Sequence, residues 1–241
     1  MNVAVVLPAY NEQNNLTPLI TRLFAAAERN DLSLRIIVVD DGSTDGTGAE
    51  LIGLRNSLSR LEVVTHPVNR GFAQALKTGI ATARDSGCDA VVFMDSDLSH
   101  RPDDLPKLIA ALGGGADVAL GSRFVPGGGM MGVPLWRRIV SHAGNRFGRR
   151  VLGLTLTDLT TGYRAMRLPV LEAIALGEDG FTIQLESVVK AYAAGFTVVE
   201  VPIVLGVREY GQSHMVYTTR LFTDYWRLLL SCRRWLREST S

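Results

Sequence analysis

Residues 90–100 read Ala-Val-Val-Phe-Met-Asp-Ser-Asp-Leu-Ser-His. A short continuous apolar run of this kind is the pattern of a parallel strand buried on both faces. It ends on two carboxylates, Asp95 and Asp97, which at i and i+2 leave a strand on the same side. Side by side without a cation they would repel, and one would take up a proton. A hard divalent ion relieves this. Magnesium or manganese is typically held by one or two carboxylates, with phosphate oxygens and water completing the shell. The stretch predicts a sheet whose strand end holds Mg2+ or Mn2+ together with a phosphate-bearing ligand, most simply a diphosphate.

Outward from this strand the same alternation repeats. Apolar runs at 3–7, 34–39, 61–66 and 117–120 read as further strands, and helical spacing covers 16–29, 47–58, 72–86 and 102–112. Repeated strand–helix–strand units require right-handed crossovers and give a mostly parallel α/β sheet with helices on both faces. Ligands bind such sheets outside the carboxyl ends of the strands. The polar residues gather there: Pro8, Tyr10, Asn11 and Glu12; Asp40, Asp41, Gly42 and Ser43; Asp95 to Asp97 with Ser99 and His100; and Gly121, Ser122 and Arg123. Loops at the other edge, at 30–33 and 85–89, are plain turns. Ser43, Thr44 and Asp45 suffice to cap the helix that follows them, which leaves Asp40 and Asp41 for a ribose or base edge.

Composition narrows the class. The chain has 241 residues, 46% hydrophobic and 20% charged, with a net charge of +1. Disorder and a disulfide scaffold are excluded, and no global charge draws it to nucleic acid. Cys88 and Cys232 stand far apart, so a reducing, cytoplasmic compartment is expected. No signal peptide and no 18-residue apolar run is visible. The charge is unevenly placed: 136–150 holds five arginines and no acid, and 218–241 holds five arginines against Asp224 and Glu238, leaving an acidic body.

The second half carries a glycine-rich loop at 126–134, expected to be mobile, then a basic helix from about Trp136 and a strand at 163–166. A helix at 184–194, strands at 197–201 and 203–207, and a last helix from about Thr218 follow. In that last helix Leu221, Phe222, Tyr225, Trp226, Leu228, Leu229, Cys232, Trp235 and Leu236 form a wide apolar face opposite an arginine-rich one. This is the pattern of a helix lying in a headgroup layer, or of one packed on the sheet; the stripe is wide enough to divide between the two. The division expected is a catalytic domain over 1–215 and an amphipathic, membrane-surface helix over 216–241.

Other site readings fail on detail. Gly127-x-Gly129-x-x-Gly132 fits a dinucleotide fingerprint, but it lies between prolines, far from the first strand, with no acid following. The four histidines show no metal spacing. A sugar nucleotidyltransferase would want a glycine-rich basic first loop, which 8–12 lacks. A receiver-like regulatory domain would not need the long chain beyond 120.

Pro-Ala-Tyr-Asn-Glu at 8–12, Asp-Asp-Gly-Ser-Thr-Asp-Gly-Thr at 40–47, Asn-Arg-Gly at 69–71, Asp-Ser-Asp-Leu-Ser-His at 95–100 and Gly-Ser-Arg at 121–123 resemble an inverting family 2 glycosyltransferase of GT-A fold. Further motifs resemble dolichol-phosphate (polyprenol-phosphate) mannosyltransferases. They are Trp-Arg-Arg-Ile-Val-Ser at 136–141, Asp-Leu-Thr-Thr-Gly-Tyr-Arg at 158–164, Phe181 with Gln184 and Glu186, Val-Pro at 201–202, and Arg-Glu-Tyr-Gly-Gln-Ser at 208–213.

The resemblance implies that Pro8, Tyr10, Glu12, Val39 and Asp41 hold the nucleoside of GDP-mannose. It places Asp95, Ser96 and Asp97 at the diphosphate, and Asp95, Asp97 and Ser99 at the metal. Arg123 and Arg208 would neutralise phosphate charge, Arg137 and Ser141 would hold the acceptor phosphate, and Asp158 and Glu186 would touch the sugar. His214 stands where the family usually has lysine, so a titrating group replaces a permanent cation. Transfer of glucose or another sugar to undecaprenyl phosphate is the alternative within the class. A phosphate acceptor also fits the chemistry: with a second pKa of about 6 it is already a nucleophilic dianion at neutral pH, so it needs arginines rather than a general base.

Overall fold

A computed structural model describes residues 1–210 and 219–238, with side chains of the last segment described over 223–237. Ser213 and His214, and the side chains of Leu221 and Phe222, lie outside the described residues. The elements run β1 (Val3–Ala9), α1 (Leu16–Arg29), β2 (Leu34–Asp40), α2 (Thr47–Ser57), β3 (Leu61–Thr65), α3 (Phe72–Asp85) and β4 (Ala90–Phe93). After a 3-10 turn at Pro102–Asp104 come α4 (Leu105–Gly113), β5 (Val118–Ser122), β6 (Gly129–Met130), α5 (Leu135–Leu152), β7 (Arg164–Arg167) and α6 (Leu168–Ala173). The chain continues through α7 (Thr182–Ala193), β8 (Val198–Pro202), β9 (Val204–Leu205) and α8 (Thr219–Glu238).

The main sheet has seven strands in the order β3-β2-β1-β4-β7-β5-β8. All neighbours are parallel except β7, which runs antiparallel to both β4 and β5. This matches the expected mostly parallel α/β sheet. Alternate residues feed two cores: Val3, Val5 and Leu7 pack with α1 and α4, while Ala4 and Val6 pack with α3 and α7. Both faces are covered, which is why the strands read as continuous apolar runs.

Direction matters at β7. Because it is antiparallel, its amino end lies beside the carboxyl ends of β4 and β5, so the loop before it reaches the ligand edge.

The wide apolar stripe of α8 divides. Leu228, Leu229 and Cys232 are buried in the core shared with α7, and Tyr225, Trp235 and Leu236 pack against it. Trp226 and Leu230 stay exposed. Lys190 lies over the Trp235 ring at 4.4 Å, and Trp226 stacks on Phe147 of α5 at 5.8 Å. Among the described residues no helix is long and apolar enough to cross a membrane.

The glycine-rich loop holds more structure than its composition predicts. β6 pairs with β9 in a separate two-stranded ladder, and Leu205 bridges back to His100.

Candidate active site

The carboxyl ends of β1, β2, β4 and β5 open on one cleft of about 840 Å3. Pro8, Tyr10, Glu12, Asp41, Asp95, Ser96, Asp97, Ser99, Arg123, Arg137, Ser141 and Arg208 all line it, so twelve predicted residues converge from six segments of chain. Val39 does not: its side chain is fully buried in the core beneath the edge.

Loops 8–15 and 41–47 hold each other. Asn11 N donates to Ser43 Oγ at 3.0 Å, Glu12 N to Thr47 Oγ1 at 2.8 Å, and Asp41 N to the Ala9 carbonyl at 2.8 Å. Ser43 therefore staples a neighbouring loop and is not a helix cap; of the expected capping residues, Asp45 is the one that accepts from a helical N–H, that of Thr47. Gly42 has φ +70°, and a Cβ there would stand 2.5 Å from the Val68 carbonyl carbon, so the turn that aims Asp41 requires glycine.

Asp41 is buried and accepts from His66 Nδ1 at 2.6 Å, Arg70 N at 2.9 Å and Gly71 N at 2.8 Å. It organises the 66–71 wall as well as lining the cleft. Asp40 turns back to accept from Ser43 N.

Asp97 is fixed by its own turn. Leu98 adopts φ +66°, a left-handed conformation that costs a bulky residue about 1–2 kcal/mol. That turn brings Ser99 N and Ser99 Oγ onto Asp97 Oδ1 at 3.0 and 2.6 Å. Ser99 thus holds Asp97 in place through its N–H and its hydroxyl proton. Ser96 Oγ donates to the Pro8 carbonyl at 2.8 Å, so its hydroxyl proton is spent tying β1 to β4.

Asp95 opens to the cleft, with its side chain 38% exposed. Burial pushes its carboxyl pKa up, with Asp97 adding to the rise and His100 and Arg164 opposing it. Beneath it Arg164 is fully buried over the Phe93 ring, its pKa brought down to about 10 by desolvation, so it stays charged at neutral pH. His100 is buried too; its Nδ1 accepts from Asp95 N at 3.2 Å.

Arg208 spans the acidic edge. Its Nη2 is bonded to Glu12 Oε2 and its Nη1 lies 3.7 Å from Asp97 Oδ2. Burial still raises the Glu12 pKa above its usual value, although the Arg208 contact lowers it.

Two expected sugar contacts are corrected. Asp158 is fully buried and grips Arg123 through two 2.7 Å bonds. Glu186 is buried away from the cleft and accepts from Gly177 N, Glu178 N and Lys190 Nζ, so it braces the loop before α7.

The cleft also contains residues the sequence reading left without a role. Thr160, Thr161 and Gly162, delivered by the loop ahead of β7, line it with Phe181, Gln184, Phe72 and Asn69. A Cβ on Gly162 would stand 3.0 Å from Asp95 Oδ2 and 3.1 Å from Gln184 Nε2, so glycine keeps this wall open. Thr-Thr-Gly immediately before a strand was the available signal; the antiparallel direction that gives it meaning was not.

Residues 4–175 match the sequence profile described as Glycosyl transferase family 2. The chain belongs to this family and is a glycosyltransferase. The transferase is 40% identical over 217 residues to a polyprenol monophosphomannose synthase of Mycolicibacterium smegmatis, covering 88% of this chain and 80% of that one. It is 38% identical over 218 residues to an undecaprenyl-phosphate mannosyltransferase of Micrococcus luteus, covering 89% and 88%. In three dimensions it resembles glucosyl-3-phosphoglycerate synthase of Mycobacterium tuberculosis, solved with Mn2+, UDP-glucose and phosphoglyceric acid, with a TM-score of 0.70, 23% identity, and 96% and 79% coverage. At that identity the likeness establishes the GT-A fold alone.

Proposed function

We propose that the transferase moves mannose from GDP-mannose to a polyprenyl monophosphate, with inversion at the anomeric carbon, at a bilayer surface. One observation carries this reading: Arg137 and Ser141 of the basic helix α5 line the same cleft as Asp95, Asp97 and Arg208. An acidic strand end suited to a cation-bound diphosphate thus faces a cationic helix suited to a second phosphate. The names of the two sequence relatives, one a polyprenol monophosphomannose synthase and one an undecaprenyl-phosphate mannosyltransferase, support the same pairing.

The donor set fits Mg2+ or Mn2+. Asp95 and Asp97 would hold the ion, with Ser99 keeping Asp97 in place, and the rise in the Asp95 pKa is what a neighbouring cation reverses. Among the described residues no three acidic, His or Cys side chains form a metal cluster of their own, which matches an ion completed by ligand phosphates. When bound, the ion supplies charge neutralisation to the departing diphosphate.

The chain's own residues do the rest. Pro8, Tyr10, Glu12 and Asp41 bound the nucleoside end, and Arg208 sits where it can exchange Glu12 and Asp97 for phosphate oxygens. Arg137 and Ser141 orient the acceptor, whose phosphate oxygen bonds the anomeric carbon as the carbon–oxygen bond to the diphosphate breaks. No proton has to leave the acceptor. Of the cleft carboxylates, Asp41 and Asp97 are held by donors of the protein itself.

The lipid-facing surface shifts from the reading based on α8. Leu135, Trp136, Ile139, Val140 and Phe147 are exposed along one side of α5, interleaved with Arg146 and Arg150, and Trp226 and Leu230 of α8 extend the patch. An apolar stripe with arginines suits anionic headgroups, each arginine adding on the order of 1 kcal/mol.

A thermal-shift screen of nucleotide sugars with Mn2+ tests the donor. GDP-mannose should stabilise most, by about 2.7 kcal/mol at a hundred-fold excess over Kd. A larger shift with UDP-glucose overturns the assignment of base and sugar.

A further inference from the structure

Thr160 lies on the cleft wall, with a fully specified hydrogen-bond environment. Its Oγ1 receives Arg123 Nη2 at 3.1 Å and Asn145 Nδ2 at 3.0 Å. Both partners can only donate. A guanidinium has N–H groups and no acceptor. The orientation of the Asn145 amide is set by two backbone groups: Leu159 N donates to Oδ1 at 2.7 Å, and the Ser141 carbonyl accepts from Nδ2 at 3.0 Å. The amide cannot be turned over without setting donor against donor and acceptor against acceptor.

A hydroxyl has one proton and two lone pairs. Both lone pairs of Thr160 are taken, so its proton must be donated. Among the described residues it meets no acceptor. The side chain is partly exposed, and it faces the cleft that Arg123, Arg137 and Ser141 also line.

We propose that Thr160 is a dedicated hydrogen-bond donor to a phosphate oxygen bound in this cleft. The proposal rests on the reading that a diphosphate and a monophosphate meet there. Arg123 and Asn145 hold the oxygen from behind and leave it no other hydrogen-bonding role, which is preorganisation of the kind that favours anions. Asn145, one helical turn beyond Ser141, is the positioning residue that ties this donor to α5.

The test compares Thr160→Val, which keeps the shape and deletes the hydroxyl, with Thr160→Ser, which keeps the hydroxyl. Thr160→Ala makes the same deletion should valine not be accommodated. Calorimetry on the full chain measures binding of GDP with Mn2+ and, separately, of citronellyl phosphate. Transfer rates and melting temperatures are measured alongside. A lost hydrogen bond to a charged group should weaken one of these anions at least about ten-fold in the valine variant, with serine restoring most of it at an unchanged melting temperature. Loss confined to GDP assigns the donor diphosphate, and loss confined to citronellyl phosphate assigns the acceptor. Valine and wild type binding both anions equally overturns the proposal. So does serine failing as badly as valine, because the side chain's role is then structural. A wild type that binds neither anion overturns the functional reading along with it.

Discussion

Arg123 meets Asp158 through two parallel bonds, Nε to Oδ2 and Nη2 to Oδ1, each 2.7 Å, with Asp158 fully buried. The backbone that carries the carboxylate is itself held, since Asp158 N and Thr157 Oγ1 donate to Glu200 on β8. Removing one partner of such a pair leaves a charge without its counter-ion. Asp158→Asn should cost about 3–5 kcal/mol in urea unfolding. It should also lower transfer by displacing Arg123. A cost below about 1 kcal/mol would mean the pair is not a structural clamp.

Asp97 has a different role: it opens on the cleft and is shared by Ser99 and Arg208. Asp97→Asn should abolish transfer with the melting temperature little changed, and EDTA should do the same to the wild type. Full activity under both treatments contradicts the metal reading.

The acceptor phosphate sets the acidic limb of activity. The rate should fall below a pH of about 6, where the dianion is lost. Arg137→Ala should raise the acceptor KM far more than it changes donor binding. A carboxylate variant whose turnover returned with added small bases would show that a general base had been missed.

Cys232 reports on α8. It is fully buried in the core, and desolvation pushes its thiol up to about 12 from an ordinary 9.0. The folded state holds this proton more tightly than the unfolded chain, so stability on its account is present below pH 9 and declines as pH rises from there toward 12. That slope should vanish in Cys232→Ala. At neutral pH a thiol reagent should label neither Cys232 nor Cys88, which is also buried, with or without anionic vesicles. Rapid labelling of Cys232 on vesicles would mean that α8 leaves the core to enter the lipid.

The strands were legible because burial on both faces removes the polar alternation that marks surface strands, and the cleft was legible because parallel strands deliver their ends to one edge. Nine of the twelve predicted residues that line the cleft follow from that reasoning, while Arg137, Ser141 and Arg208 follow from the family resemblance. What stayed hidden depends on direction and on partners. Nothing in the run at 163–166 shows that β7 is antiparallel, so Thr160 and Gly162 had no reason to be placed. The resemblance gives Asp158 and Glu186 as sugar contacts, and an acid in a polar motif reads the same whether it meets a sugar or a cation of the protein itself. The resemblance gives Val39 as a nucleoside contact, but its side chain turns into the core. The face of α8 was read correctly as apolar; which share of it the core would take depends on α5 and α7, which its own sequence does not describe.

The most direct measurement is transfer itself. Purified protein with Mn2+ or Mg2+, radiolabelled GDP-mannose and polyprenyl phosphate should form a single labelled lipid of β configuration, and free polyprenol without the phosphate should give none. Labelled product from the alcohol but not the phosphate, or no lipid product from any prenyl phosphate under conditions where the donor is bound, would contradict the account.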